Sequence, residues 1–164
     1  MKTASLNEIR KQLNTLDNLT LEHLCVALAR YKKENKELLG YLLFEANDEQ
    51  AYITNVKTEI DELFETLPKS NVYFIKKSIR KIIRFVNKYI KYSGIAGTEL
   101  EVRIYFCLKM KATRIPLPPG TVLYNLYHQQ LKKIQGVLSK LPEDLRFDYE
   151  RDLALIAENS MFEE

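Results

Sequence analysis

The sequence predicts an all-α protein. Apolar residues recur at the three- and four-residue spacing of an amphipathic helix along most of the chain, and helix-start chemistry precedes most of these segments. Gly and Pro, 5 of each in 164 residues, are too few to supply the turns of an all-β chain. The 46% apolar and 29% charged residues exclude an intrinsically disordered or collagen-like chain. Two cysteines cannot form the disulfide framework of a small secreted domain. The length suits one domain over residues 1–164, able to bury roughly 70% of its unfolded surface.

Taken in order, Ser5 and Glu8 form an S-x-x-E capping box ahead of Leu6, Ile9, Leu13 and Leu16. Thr20 is an N-cap candidate for a segment with apolar positions Leu21, Leu24, Cys25 and Leu28. Apolar positions resume at Leu38, Leu39, Leu42, Leu43 and Ala46. Residues 21–46 fit either one long helix or two broken near Asn35. The break, with Asn35 as cap, is favoured because an unpaired Asn on an apolar face is costly. Asn47 with Gln50 caps the next helix, which carries Tyr52, Ile53, Val56, Ile60, Leu63 and Phe64 and is ended by Pro68. Ser70 or Asn71 caps the longest pattern, through Val72, Ile75, Ile79, Ile82, Val86 and Tyr89, and Gly94 suits the left-handed residue that closes a helix.

Thr98 and Glu101 read as a further capping box, before Leu100, Val102, Tyr105, Phe106 and Cys107. The run Ile115-Pro116-Leu117-Pro118-Pro119-Gly120 forbids a helix and makes a stiff extended loop. Its low ordering cost makes it a second candidate for partner contact, beside a plain spacer role. Thr121 caps a helix with Leu123, Leu126, Tyr127, Leu131, Ile134, Val137, Leu138 and Leu141. Pro142 starts a trailing helix, with Glu143 and Asp144 placed to favour its dipole and Leu145, Tyr149, Leu153 and Ile156 inward. The tail from Asn159 to Glu164 is expected to fray.

Alternation is the competing template over Val72 to Ile90, but it would point Lys76-Lys77 and Arg80-Lys81 inward, so the helical spacing wins. The result is seven or eight helices joined by short linkers, grouped as antiparallel hairpins over Leu21 to Ala46, Glu49 to Tyr92 and Glu99 to Leu141. In helix count and pairing this layout resembles a short α-solenoid of the HEAT or armadillo kind. An irregular helical bundle is the other arrangement open to it. The resemblance brings no functional residues with it, and the leading expectation, a non-enzymatic helical scaffold or binding protein, comes from the absence of a legible catalytic motif.

The net charge of +3 is partitioned. Residues 1–66 hold 8 Lys/Arg against 12 Asp/Glu (net −4), residues 67–115 hold 12 against 2 (net +10), and residues 116–164 hold 5 against 8 (net −3). No acidic residue occurs between Lys69 and Lys91. At about 100° per residue, Lys77, Lys81, Arg84, Lys88 and Lys91 form one stripe that Lys76 and Arg80 widen, roughly opposite the apolar stripe. Like charges at this spacing cost a few tenths of a kcal/mol per pair, so a face needed only for solubility would mix signs.

Three readings are open for Lys76, Lys77, Arg80, Lys81, Arg84, Lys88 and Lys91. The face is solvated or neutralised within the chain, for instance by Glu59, Asp61, Glu62 and Glu65. Alternatively it receives a nucleic acid, with Tyr73 and Tyr92 available to stack on bases. The third reading is an acidic protein partner or a second copy of the chain.

Catalytic chemistry is not legible. His23 and His128 belong to no H-E-x-x-H or Glu-x-x-His pattern, and the rival reading, an enzyme with a pocket between helix pairs, would have to use one of them. Gly94 to Thr98 lacks the Lys and the preceding strand of a phosphate loop. Cys25 and Cys107 lie in apolar runs and are expected to be buried thiols. No metal site or cofactor is implied. The N-terminus has no apolar h-region, and no run approaches the ~18 apolar residues of a membrane span, which predicts a cytoplasmic protein with no membrane role.

Overall fold

The computed structural model describes residues 3–158, and every regular element among them is helical. The elements are α1 (Leu6–Leu13), α2 (Asn18–Tyr31), α3 (Lys33–Gly40), a π-helical turn (Tyr41–Glu45), α4 (Glu49–Glu65), α5 (Val72–Ser93), α6 (Ala96–Ala112), α7 (Val122–Leu138), α8 (Glu143–Phe147) and α9 (Glu150–Glu158). The trailing segment, expected as one helix, is divided in two. The arginine of α8 reaches back to the end of α7, where Arg146 donates to the carbonyls of Leu141 (2.8 Å) and Ser139 (3.2 Å). The expected fraying from Asn159 onward lies outside the described residues. The described chain divides into two compact units, one ending at Glu45 and one beginning at Ala46.

In the first unit, local chemistry sets the helix ends. Ser5 and Glu8 make the full capping box, and the backbone and side-chain hydrogen bonds from Ser5 hold the Glu8 carboxyl below its usual value. Asp17, not Thr20, caps α2: its carboxylate accepts from the Thr20 N–H at 2.9 Å and from the Thr20 hydroxyl at 2.8 Å. A carboxylate placed three residues earlier outcompetes the hydroxyl for the orphan amides. The chain breaks at Lys32, whose extended backbone ends α2 and starts α3. Asn35 is therefore inside α3 and is not its cap. Its side-chain amide donates to the Leu28 carbonyl at 2.8 Å, satisfying one of the carbonyls that the end of α2 leaves open. Helices α1, α2 and α3 bury no residue, and Tyr41 in the π-helical turn is the one buried position among the described residues of this unit. Cys25, expected to be buried, is exposed, because the apolar run around it has no core to enter.

The second unit is built around α6. Its buried residues, among them Leu100, Val102, Ile104, Phe106, Cys107 and Met110, cover most of its circumference, the signature of a central helix. It packs against α4, α5, α7 and α9. Asp48 rather than Asn47 caps α4, accepting from the Ala51 N–H at 3.0 Å. Asn71 caps α5, and Gly94 closes it with φ of 67°. Thr98 does not start α6, which begins two residues earlier. The side chain is buried and donates to Glu49 of α4 at 2.5 Å, and Ser93 donates to the same carboxylate oxygen. A partner far away in sequence thus took the hydroxyl from its expected capping role.

Helices α4 and α6 are further joined by a charged cluster. Lys57 pairs with Glu101 (2.9 Å), Lys109 with Asp61 (2.7 Å), and the Tyr105 hydroxyl donates to Asp61 (2.7 Å). Burial alone would raise the Asp61 carboxyl, but the hydrogen bonds from Lys109 and Tyr105 and the charge of Lys109 outweigh it and hold Asp61 below its ordinary value. Thr121 caps α7 as expected. The inner face of α7 carries Leu123, Tyr127, Gln130 and Ile134, and the Tyr127 hydroxyl donates to the Ile156 carbonyl of α9 at 2.7 Å.

Candidate anionic-partner interface

Helix α5 owes its three faces to sequence period alone. Ile75, Ile79, Ile82, Ile83, Val86 and Ile90 are buried. Phe85, Tyr89 and Tyr92 lie along one flank, where Phe85 and Tyr92 both pack on Tyr89, and the Tyr89 carbonyl accepts from the Tyr52 hydroxyl of α4. The remaining face carries the lysines and arginines. Lys77, Arg80, Lys81, Arg84 and Lys91 are exposed, and Lys76 and Lys88 are half-buried. Lys88 lies over the Tyr89 ring, 4.6 Å from its centroid. From Lys77 to Lys91 the row runs about 21 Å at 1.5 Å per residue.

Among the described residues, Lys76, Lys77, Arg80, Lys81, Arg84 and Lys91 make no ion pair. The nearby acidic helix spends Asp61 on Lys109 and Tyr105 of α6, while Glu62 and Glu65 are exposed. Contact neutralisation of those six cations inside the chain is therefore not seen among the described residues.

The face is also concave. Tyr73, Lys77, Arg80, Ile83 and Arg84 of α5 and Leu126 of α7 line an open groove of about 520 Å³. Its floor is apolar, its rim is cationic, and Tyr73, 69% exposed, forms one wall. Both tyrosines singled out for stacking make an edge-on ring contact, Tyr73 with Phe74 and Tyr92 with Tyr89, but Tyr73 is exposed and Tyr92 half-buried.

Beneath the face lies a polar network that sequence reasoning missed. Arg103 of α6, 5% exposed, donates to Glu99 (2.7 Å), to Asn87 of α5 (3.0 Å) and to Gln130 of α7 (2.8 Å). Lys133 of α7 reaches the same Asn87 oxygen at 3.5 Å. Burial, and then the like charge of Arg103, lower the pKa of Lys133, with Glu99 opposing. The signal available in the sequence was an arginine between Val102 and Ile104, in a helix apolar on nearly every side.

The other candidates hold no chemistry together. His23 is exposed on α2. His128 stacks on Tyr124, with ring centroids 4.0 Å apart. Burial pushes the Cys107 thiol up to about 12, against the weaker pull of Arg103 and Lys111, so it is no nucleophile at neutral pH. Among the described residues no group of His, Cys, Asp and Glu could hold a metal ion, and no helix is long and apolar enough to cross a membrane. In the proline loop, Ile115 and Leu117 are half-buried while Pro116, Pro118, Pro119 and Gly120 are exposed. The Thr121 hydroxyl donates to the Pro118 carbonyl at 2.8 Å, fixing the loop to the start of α7. Compared with known protein families, curated proteins and solved structures, the chain matches none.

Proposed function

We propose that this protein is a non-enzymatic helical scaffold that holds an acidic partner on the basic face of α5, through Lys76, Lys77, Arg80, Lys81, Arg84, Lys88 and Lys91. The observation that carries the reading is that six of these cations share one face of a helix anchored by its buried isoleucines, yet make no ion pair among the described residues. Repulsion along the row is a standing cost that an incoming anion removes. Nucleic acid is the second reading, favoured by the exposed Tyr73 ring beside Lys77 at the groove.

The test is binding of the purified protein to polyglutamate and to short DNA and RNA duplexes as salt is raised. Affinity is expected at low salt and is expected to fall steeply with ionic strength. Changing Lys77, Lys81, Arg84 and Lys88 together to Gln should abolish it. Binding that survives those four changes, or no binding at low salt, would sink the reading.

A further inference from the structure

The groove at the head of the basic face is not uniformly polar, and this narrows what can fill it. Ile83 and Leu126 form its floor and Tyr73 one wall, while Lys77, Arg80 and Arg84 stand at the rim. Val72 and Phe74, 57% and 49% exposed, extend the apolar surface beside Tyr73. A duplex backbone would satisfy the rim and leave the apolar floor in water, and a single strand can stack a base on Tyr73 but has no aliphatic side chain to set on Ile83 and Leu126. An acidic polypeptide without apolar residues would do the same. An amphipathic helix answers both features. Carboxylates three and four residues apart on a helix stand about 5–6 Å from one another, the interval at which successive turns of α5 present Lys77, Arg80 and Arg84. Two guanidinium groups can take carboxylates bidentately. A leucine or phenylalanine on the flank of that acidic row enters the groove, whose volume suits one or two large side chains.

We infer that the α5–α7 groove receives an acidic amphipathic helix of a partner protein, with an apolar anchor seated on Ile83 and Leu126 against Tyr73 and carboxylates paired to Lys77, Arg80 and Arg84. The inference rests on the acidic-partner reading above and sharpens it: charge brings the partner to the face, and the apolar anchor selects among anions.

The experiment uses the full chain and fluorescence anisotropy with labelled probes at low salt. One probe is a helical peptide of about 18 residues with a row of Glu and adjoining Leu and Phe anchors. A second has the same Glu with every anchor replaced by Gln. A third is single-stranded oligothymidylate. The anchored peptide should bind at least about tenfold more tightly than the anchor-free one, the effect of burying one large apolar side chain. Tyr73→Ala and Leu126→Ala should reduce the affinity of the anchored peptide and leave that of the anchor-free peptide unchanged. Tyr73 is exposed, so its variant stays informative if Leu126→Ala weakens folding. Equal binding of the two peptides overturns the inference while the charge-based reading stands. Oligothymidylate binding as tightly as the anchored peptide overturns it in favour of nucleic acid. A dimer of the protein alone, seen by sedimentation and lost in Arg80→Gln/Arg84→Gln, overturns it by making a second copy the occupant. Failure of every probe to bind defeats both this inference and the reading it rests on.

Discussion

Helices α1 to α3 and helices α4 to α9 use the same local devices to different ends. Both sets have side-chain caps, amphipathic spacing and short connections. The first set leaves Leu6, Leu19, Leu28 and Tyr31 exposed. The second gathers Ile60, Ile79, Val86, Leu100 and Phe106 around α6 with almost no solvent contact. Capping and periodicity therefore suffice to place helices, but they do not make a core. A core needs one element apolar on nearly every side for the others to close on, and α6 is that element. The same closure buries Ile75, Ile79, Ile82, Ile83, Val86 and Ile90 of α5 and so turns its row of like charges outward.

That contrast can be broken most forcefully in the second unit. Phe106→Ala should cost about 3–5 kcal/mol, as expected for an aromatic removed from a packed interior. Leu28→Ala in α2 should stay within about 0.5 kcal/mol. Urea unfolding of the two variants measures the gap, and equal effects would show that α2 is buried in solution.

Arg103→Ala should cost about 3 kcal/mol, because it strands Gln130, leaves Asn87 only its longer contact with Lys133 and takes the partner from Glu99. The same variant should loosen the α5–α7 pair, read as faster amide exchange in both helices while α1 to α3 are unchanged.

The glycines sharpen the comparison at smaller amplitude. Gly94→Ala forces a Cβ into the left-handed region at φ of 67° and should cost about 1–2 kcal/mol. Gly40→Ala, in α3 with nothing within 4 Å of the added carbon, should stabilise by about 0.5–1 kcal/mol. Thermal melts of the two variants should shift in opposite directions.

The smallest effect is acid sensitivity at the α4–α6 contact. Asp61 is held below its unfolded pKa, so its contribution is present above that value and is lost as pH falls through the folded one, below about 4. Asp61→Asn should flatten the dependence of stability on pH in that window. An unchanged acid limb would assign it to other carboxylates.

Much of this was legible in advance. The α-helical class, the caps at Ser5 and Thr121, Asn71 as one of two caps offered for α5, the closing Gly94 and the opposed apolar and cationic sides of α5 follow from chemistry within a few residues of each site. Errors arose where two local candidates competed or a distant group intervened. Asp17, three residues before Thr20, and Asp48, next to Asn47, displaced them because the carboxylate was the stronger acceptor. Thr98 was drawn off by Glu49. Of the candidate face, the cationic row was legible. The groove was not, since Leu126 comes from another helix, and nothing in the sequence marks Gln130 as the partner of Arg103.

What the sequence determined by itself is where the chain is helical and how its charge is sorted, because a helix period and a cap are settled by neighbours in the chain. Tertiary structure alone decided which apolar faces are covered, why Cys25 is exposed and Cys107 buried, and that Ile83 and Leu126 share a floor beneath Lys77, Arg80 and Arg84. Burial depends on which segments meet, and the meeting of segments distant in sequence leaves no periodic trace in either of them.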